Sequence, residues 1–213
     1  MGVPSININF LLIIITVSIS ILTWKRADIF ERMLFHAPSI HYRREWFRVI
    51  SYGFLHSGWG HLFINMFVLW MFGKNIEATY VYLFGFKGHF LYLFLYLSAI
   101  VISTLYDLKK RKDDYNYRAV GASGAVSAVL FSYIFLYPTQ SIYLFFIPIP
   151  IPAFIFGIFY LIYSSYMSKQ NIDNIGHGAH FWGSVYGLLF IIPFQWELIF
   201  NFFGQIKELI PGL

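Results

Sequence analysis

Residues 119–168 read AVGASGAVSAVLFSYIFLYPTQSIYLFFIPIPIPAFIFGIFYLIYSSYMS, which is 50 consecutive residues without Asp, Glu, Lys or Arg. A helix that crosses a membrane needs about 20 apolar residues, so this stretch is long enough for two. The prolines from Pro138 to Pro152 predict a turn between them, because proline breaks a helix. We therefore expect two membrane-spanning helices, over about residues 121–138 and 150–168.

Long apolar runs elsewhere in the chain predict four further spans, over 6–23, 61–80, 88–106 and 179–195. A secretory signal peptide is the competing interpretation of the first run. It would need a basic start and a small-residue cleavage site, and this segment supplies neither. We therefore expect an all-α polytopic membrane protein, a six-transmembrane-helix bundle that forms a single domain over residues 1–213 with no soluble accessory domain.

The composition agrees with a membrane protein. Of the 213 residues, 58% are hydrophobic and only 12% are charged, about half of the charged fraction of a soluble domain. The net charge of +5 comes from short basic clusters between apolar runs, which favours membrane-surface loops over a nucleic-acid partner. Cysteine is absent, which excludes disulfides, thiolate nucleophiles and thiolate metal sites.

Polar residues inside a span are costly, so each one is a candidate for function. The second predicted span carries His61, Asn65, Gly73 and Glu77 at multiples of four residues, with Leu69 completing the series. Steps of four stay close to one helical face, so His61 and Asn65 point the same way, one turn apart. Hydrogen bonding and close packing between helices is the alternative interpretation of this series.

The fourth predicted span opens with Gly121-Ala122-Ser123-Gly124. A serine at a helix N-terminus has a free backbone N–H that can stabilise an oxyanion. Small residues at the start of a membrane helix also permit tight packing, which is the alternative interpretation.

The sixth predicted span opens with His177 and His180, followed by Gly183 and Gly187. The two glycines form a G-x-x-x-G face that lets a neighbouring helix approach closely. His180 lies on roughly the same face, so a serine on that neighbour would form a nucleophile–base pair with it. We expect His177 to be a loop residue at the membrane surface.

Four motifs in this order resemble the rhomboid family of intramembrane serine proteases. They are Trp46-x-Arg48, the series from His61 to Glu77, Gly121-x-Ser123-Gly124, and Ala179-His180-x-x-Gly183-x-x-x-Gly187. The resemblance spans nearly the whole chain and implies a serine endopeptidase that cleaves transmembrane segments. It assigns Ser123 as the nucleophile and His180 as the base, and it implies no cofactor and no metal.

The same resemblance implies roles for the other motif residues. His61, Asn65 and the backbone at Gly121 would stabilise the oxyanion. Seven residues would have a structural role: Trp46, Arg48, Gly73, Glu77, Gly124, Gly183 and Gly187. The sequence departs from the family at Ser127, where some members carry an aromatic residue that stacks on the base, so we expect a Tyr or Phe from another helix to support His180.

The resemblance implies that the catalytic pair is a dyad, and the sequence agrees with this, because none of the predicted spans places an obvious carboxylate near His180. Glu77 lies at the far end of the second span, and Asp173 lies in the loop before the sixth. The implied partners are single-pass membrane proteins as substrates and the lipid bilayer. Since hydrolysis requires an unwound segment, helix-weakening residues near the membrane surface should favour cleavage.

The family topology places the N-terminus in the cytoplasm and the active-site mouth on the opposite side. That topology leaves 12 Lys and Arg residues in outside loops and only Lys74, Lys87 and Lys207 inside. The positive-inside rule predicts the reverse orientation. We expect the protein in a bacterial plasma membrane.

Three other functions compete with proteolysis. An inactive relative that binds or escorts membrane proteins typically lacks the nucleophile or the base, and both are present here. A metal site built from His56, His61, His177 and His180 lacks an accompanying carboxylate, and no H-E-x-x-H motif occurs. A channel or transporter lined by His61 and Asn65 lacks an intramembrane acid for proton coupling.

Overall fold

The computed structural model describes residues 7–144, 147–170 and 175–209. This part of the chain forms ten α-helices, which in chain order are α1 (Ile8–Trp24), α2 (Ala27–Met33), α3 (Ala37–Arg43), α4 (Arg48–Ser51), α5 (Trp59–Phe84), α6 (Lys87–Lys110), α7 (Ser123–Leu136), α8 (Ala153–Gln170), α9 (His177–Leu189) and α10 (Leu198–Leu209). A 3₁₀ turn at Tyr52–Phe54 links α4 to the loop before α5.

A helix lies at each of the six positions where the sequence predicts a span, and the bounds differ by a few residues. The predicted start at Ile6, like Asp173, falls outside the described residues. Among the described residues, α6 is the one helix both long and apolar enough to cross a membrane by length and composition. Since α1 and α7 are apolar but shorter, the six crossings remain a prediction.

Helix α7 forms the centre of the bundle and packs against α5, α6 and α9. Nearly all of its side chains are buried, because small and aliphatic residues occupy every face. The outer helices instead expose large apolar side chains, such as Phe159 and Ile162 on α8, which are 67% and 61% exposed. A buried centre with an apolar outer surface is what an all-α membrane fold requires.

Helix α5 is longer than the predicted span 61–80, and it continues past Lys74 and Glu77. The Glu77 side chain is buried, where it accepts hydrogen bonds from the backbone N–H groups of Ile8 at 2.8 Å and Asn9 at 2.9 Å. These two groups belong to the first turn of α1 and have no partner within that helix. The carboxylate therefore completes the N-terminus of α1, which explains why the helix tolerates a charge at this depth.

The segment between α7 and α8 contains a short antiparallel hairpin, formed by β1 (Ser141–Leu144) and β2 (Ile147–Pro152). Ser141 pairs with Pro152 and Ile142 with Ile151. The expectation of a simple proline-rich turn here is therefore wrong, whereas the ten helices of the described residues agree with the expected all-α membrane fold. Alternating isoleucine and proline favours extended backbone over helix, and the missing proline N–H groups limit the sheet to an edge pair.

Candidate active site

Ser123 is the first residue of α7, and its position follows from the loop before it. Gly121 has a φ of +124°, a conformation that side chains with a Cβ rarely adopt, and its N–H donates to the Tyr52 carbonyl at 3.1 Å. This turn delivers the chain into α7 at Ser123. The backbone N–H groups of the first helical turn have no intrahelical acceptor, so they are available to stabilise negative charge.

The His61 ring lies directly against the Gly121 backbone. A Cβ at Gly121 would lie 2.7 Å from His61 Cε1 and 2.8 Å from Nε2, closer than two such atoms can approach. The other ring nitrogen, Nδ1, forms a hydrogen bond with Ser57 Oγ at 3.1 Å. Nε2 of His61 therefore faces the turn that carries Ser123.

Asn65 lies one turn after His61 on α5 and is 5% exposed. Its Nδ2 donates to the His61 carbonyl at 2.9 Å, which uses one of the two amide hydrogens. His61 and Asn65 both line the cavity that Ser123 lines, so the helical spacing in the sequence correctly places them on one face.

His180 lies in the first turn of α9, and two glycines bring this helix close to α7. A Cβ on Gly183 would collide with the carbonyl oxygen of Gly124, and a Cβ on Gly187 would collide with that of Ala128. Gly124 in turn fits against Ser103 and the Ala179 backbone. Contact at this distance places the start of α9 beside the start of α7.

One cavity of about 1050 Å³ joins these elements. Its lining includes Ser123, His180, His61, Asn65 and Gly121. All five residues assigned to catalysis or the oxyanion therefore converge on a single space, although they come from three helices and a loop that are far apart in sequence.

Tyr160 of α8 is a site residue that the sequence did not identify. Its ring is stacked on His180, with centroids 6.5 Å apart and an interplanar angle of 29°. Its hydroxyl is hydrogen-bonded to Ser127 Oγ at 3.0 Å. The expected aromatic from another helix is thus present, and it contacts the small residue that replaces the aromatic on α7.

Asp107 places a carboxylate in the same cavity, at the end of α6. The side chain is 8% exposed and accepts a hydrogen bond from the Tyr117 hydroxyl at 3.2 Å. Its oxygens lie 3.5 and 3.7 Å from the position of a Cβ on Gly178, in the first turn of α9. Asp107 lies just beyond the predicted span 88–106, and α6 continues past that apolar run and carries its carboxylate into the cavity.

His177 is buried at the start of α9, at 4% exposed, so its expected place in a surface loop is also wrong. Its ring packs edge-on against Tyr163 and against His180, with centroids 5.4 and 5.9 Å apart. The helix begins two residues earlier than predicted, which brings the side chain under α8.

His56 lies in the loop before α5, and its ring packs against His61 with centroids 4.9 Å apart. Burial, together with the charge that His61 can carry, lowers the pKa of His56 from its usual 6.5 to about 3. The ring is therefore neutral at physiological pH and is hydrogen-bonded to Ser20 Oγ at 2.9 Å. Within the described residues, no three His, Cys, Asp or Glu side chains are grouped as a metal site would require.

Three motif residues, Trp46, Arg48 and Gly73, lie outside the cavity lining. Arg48 is buried and donates to the backbone carbonyls of Glu31 at 2.8 Å and Leu34 at 2.9 Å, whereas Trp46 is 55% exposed. Gly73 leaves room for the Asn9 side chain and the Tyr92 hydroxyl between α5, α1 and α6. These contacts connect α2, α4 and α1 to the bundle that positions the site.

A family model described as the Rhomboid domain matches residues 43–197. The chain is 31% identical over 144 residues to "RHOMBOID-like protein 12, mitochondrial" of Arabidopsis thaliana, which covers 64% of this chain and 43% of that protein. It is 28% identical over 145 residues to "Rhomboid protein 1, mitochondrial" of Saccharomyces cerevisiae, covering 67% and 40%. The matched part is less than half the length of either relative.

Both relatives are mitochondrial by name. The expected location in a bacterial plasma membrane is therefore wrong. Composition and apolar runs indicate that a protein lies in a membrane, but they do not distinguish one membrane from another.

Proposed function

The chain belongs to the rhomboid family, and we propose that it is an intramembrane serine endopeptidase that cleaves transmembrane segments of other membrane proteins. One observation carries the proposal: Ser123, His180, His61, Asn65 and Gly121 line a single cavity of about 1050 Å³. A nucleophile, a base and oxyanion donors that share one space are the requirements of acyl transfer.

Ser123 is the nucleophile in this proposal, and His180 is the general base. The Ser123 hydroxyl oxygen attacks the scissile carbonyl carbon while His180 accepts the hydroxyl proton. His180 then donates that proton to the leaving amine, which departs and leaves an acyl-enzyme on Ser123. Water, activated by His180, hydrolyses the ester and restores the serine.

The negative charge on the carbonyl oxygen is stabilised by three groups. They are the backbone N–H of Ser123 at the N-terminus of α7, the amide of Asn65 and the Nε2 side of His61. The Asn65 amide keeps one N–H for the substrate, since its bond to the His61 carbonyl uses the other. Loss of one such donor lowers turnover by about 10²–10³-fold.

The reactive pair is a dyad in this account, and Asp107 has a structural role. The Asp107 carboxylate is directed to the Tyr117 hydroxyl and to the first turn of α9 at Gly178. It therefore packs beside the start of the helix that carries His180. The orientation of the base follows from this helix position and from the rings packed on it.

We place the protein across the membrane through six helices, α1, α5, α6, α7, α8 and α9, as one domain. The apolar outer faces of these helices contact lipid, and single-pass membrane proteins are the substrates. We infer a mitochondrial membrane as its location, and the names of the two relatives support this inference.

The test is cleavage of a model single-span substrate by the purified protein in liposomes. We expect the parent to cleave it and the variants Ser123→Ala and His180→Ala to be inactive. Ser18→Ala and His41→Ala change exposed residues on α1 and α3 and serve as matched controls that retain activity. A parent that cleaves none of several substrates supports instead an inactive relative that binds membrane proteins.

A further inference from the structure

Tyr160 holds the base from a helix that contributes no other residue to the dyad. The Tyr160 and His180 rings lie 6.5 Å apart between centroids at 29°, an offset stacked arrangement. An imidazole packed on one face by an aromatic ring cannot rotate freely about its side-chain torsions. The contact therefore restricts the direction in which the His180 ring nitrogens point.

The Tyr160 ring is itself fixed on several sides. Its hydroxyl is hydrogen-bonded to Ser127 Oγ at 3.0 Å, and Ser127 is 4% exposed. The rings of Phe131 and Phe156 pack on it with centroids 5.6 and 5.8 Å away. Ser127 lies one turn after Ser123 on α7, so this hydrogen bond ties the support of the base to the helix that carries the nucleophile.

Tyr160 does not form part of the cavity lining among the described residues, whereas His180 does. A substrate in the cavity therefore meets His180 and not the tyrosine behind it. A positioning effect of Tyr160 through the base therefore changes kcat, whereas a substrate contact would change KM.

We propose that Tyr160 is the positioning residue of the base, stacked on His180 and held in place by Ser127. This inference rests on the proposed protease function and adds to it a residue from α8. Since α8 buries only Ala153, Gly157 and Ser164 fully, the base is held by a helix at the edge of the bundle.

The first experiment measures kcat and KM for a model single-span substrate in liposomes. Tyr160→Leu removes the ring, and we expect kcat to fall about 10–100-fold with KM unchanged, because misplacement of a catalytic group by about 1 Å costs about 10²-fold. Tyr160→Phe keeps the ring and loses one hydrogen bond, so we expect a decrease of about fivefold or less. Tyr166→Leu, the same change on an exposed position of α8, is the matched control.

The second experiment exchanges the two partners. Tyr160→Ser alone removes the ring, and Ser127→Tyr combined with Tyr160→Ser returns a ring and a serine to the same pair of positions. The ring then reaches His180 from α7 and occupies the space that Tyr160 leaves. We expect the exchange to recover at least tenfold of the kcat lost in Tyr160→Ser.

Thermal unfolding of each variant identifies those that fold as the parent does. A folded Tyr160→Leu variant with kcat within threefold of the parent overturns the proposal, and so does a rise in KM at constant kcat. A folded exchange variant as slow as Tyr160→Ser also overturns it; if the exchange does not fold, the kcat and KM of Tyr160→Leu decide. A parent that is inactive, like Ser123→Ala, contradicts the protease function itself, which is a different result.

Discussion

Gly121→Ala is the substitution for which the structure makes the sharpest prediction. The new methyl group would lie 2.7 Å from His61 Cε1 and 2.8 Å from Nε2. Carbon atoms in contact are normally about 3.5 Å or more apart, so the ring must move by about 0.8 Å. The φ of +124° adds backbone strain of about 1–3 kcal/mol in a residue with a Cβ.

This displacement is large on the scale of an oxyanion site. Donors stabilise the developing charge when they lie about 2.7–3.1 Å from the oxygen, so a shift of about 0.8 Å removes the bond that His61 would form. We expect kcat to fall by about 10²–10³-fold, as for the loss of one donor. KM should change little, because the donor acts mainly in the transition state.

The assay is cleavage of a single-span substrate in liposomes, together with thermal unfolding of each variant. Gly85→Ala is the matched control, since Gly85 also has a positive φ, +60°, and a Cβ there would meet nothing within 4 Å. Gly60→Ala adds a methyl group next to His61 in sequence and also meets nothing within 4 Å. Both controls should retain the parent kcat.

A folded Gly121→Ala variant with parental kcat would refute this reasoning, because it would show that the His61 position does not matter to the reaction. An equal loss of kcat in Gly85→Ala and Gly121→Ala would refute it too, since backbone strain alone would then explain both.

Three further predictions concern stability. Gly187→Ala forces a methyl group against the Ala128 carbonyl and should lower the free energy of unfolding by about 1–3 kcal/mol in a denaturant titration. Gly204→Ala is the control and should not lower it, because a Cβ there meets open space. Equal effects of the two substitutions would contradict the close α7–α9 contact. Glu77→Gln weakens two charge-assisted hydrogen bonds to the N-terminus of α1, so the free energy of unfolding should fall by about 1–3 kcal/mol while kcat is retained. An unchanged unfolding midpoint would contradict the role of Glu77 in completing that N-terminus. Burial lowers the pKa of His56 from 6.5 in the unfolded chain to about 3 in the folded protein. Below pH 6.5 the His56 ring therefore takes up a proton in the unfolded chain and stays neutral in the folded protein. The free energy of unfolding should fall by about 1.4 kcal/mol per pH unit as the pH drops from 6.5. Melting temperatures at pH 7 and pH 5 should differ less in His56→Gln, and an identical pH dependence would contradict the buried neutral ring.

The parts of the site that follow from local spacing are the parts that the sequence predicts correctly. His61 and Asn65 share a helical face because they are four residues apart, and the structure places both in one cavity. Gly183 and Gly187 predict a close helix contact in the same way, and α7 provides the partner. Helix geometry alone is sufficient for these relations.

Contacts between helices distant in sequence could not be predicted in this way. Tyr160 reaches His180 only because α8 packs beside α9, and nothing in the sequence around Tyr160 distinguishes it from the other aromatic residues of α8. Asp107 appears in the sequence as the first residue of a hydrophilic loop, but the last turn of α6 buries it beside α9. Ser127 is the one local indication, because it stands where the rhomboid resemblance implies an aromatic residue that stacks on the base.

Helix ends were predicted less well than helix positions for a physical reason. Charge-free runs mark where a helix can meet lipid, but a helix continues wherever its charged residues find partners inside the protein. Helix α6 is such a case, because it continues past the predicted end at residue 106 and its last turn carries Asp107, which accepts a hydrogen bond from the Tyr117 hydroxyl. In residues 147–152 the alternation of isoleucine and proline has a period of two, which is typical of extended backbone, and the structure forms a strand there and not a simple turn.

The most direct test of the central claim is covalent labelling of Ser123 by a fluorophosphonate, with the modified residue mapped by mass spectrometry. The reaction requires a serine whose proton a nearby base removes, and it needs no knowledge of the natural substrate. We predict one adduct, on Ser123, that is absent in His180→Ala and retained in His41→Ala. Labelling of Ser123 that is undiminished in His180→Ala, or an adduct on another serine alone, would contradict the Ser123–His180 dyad.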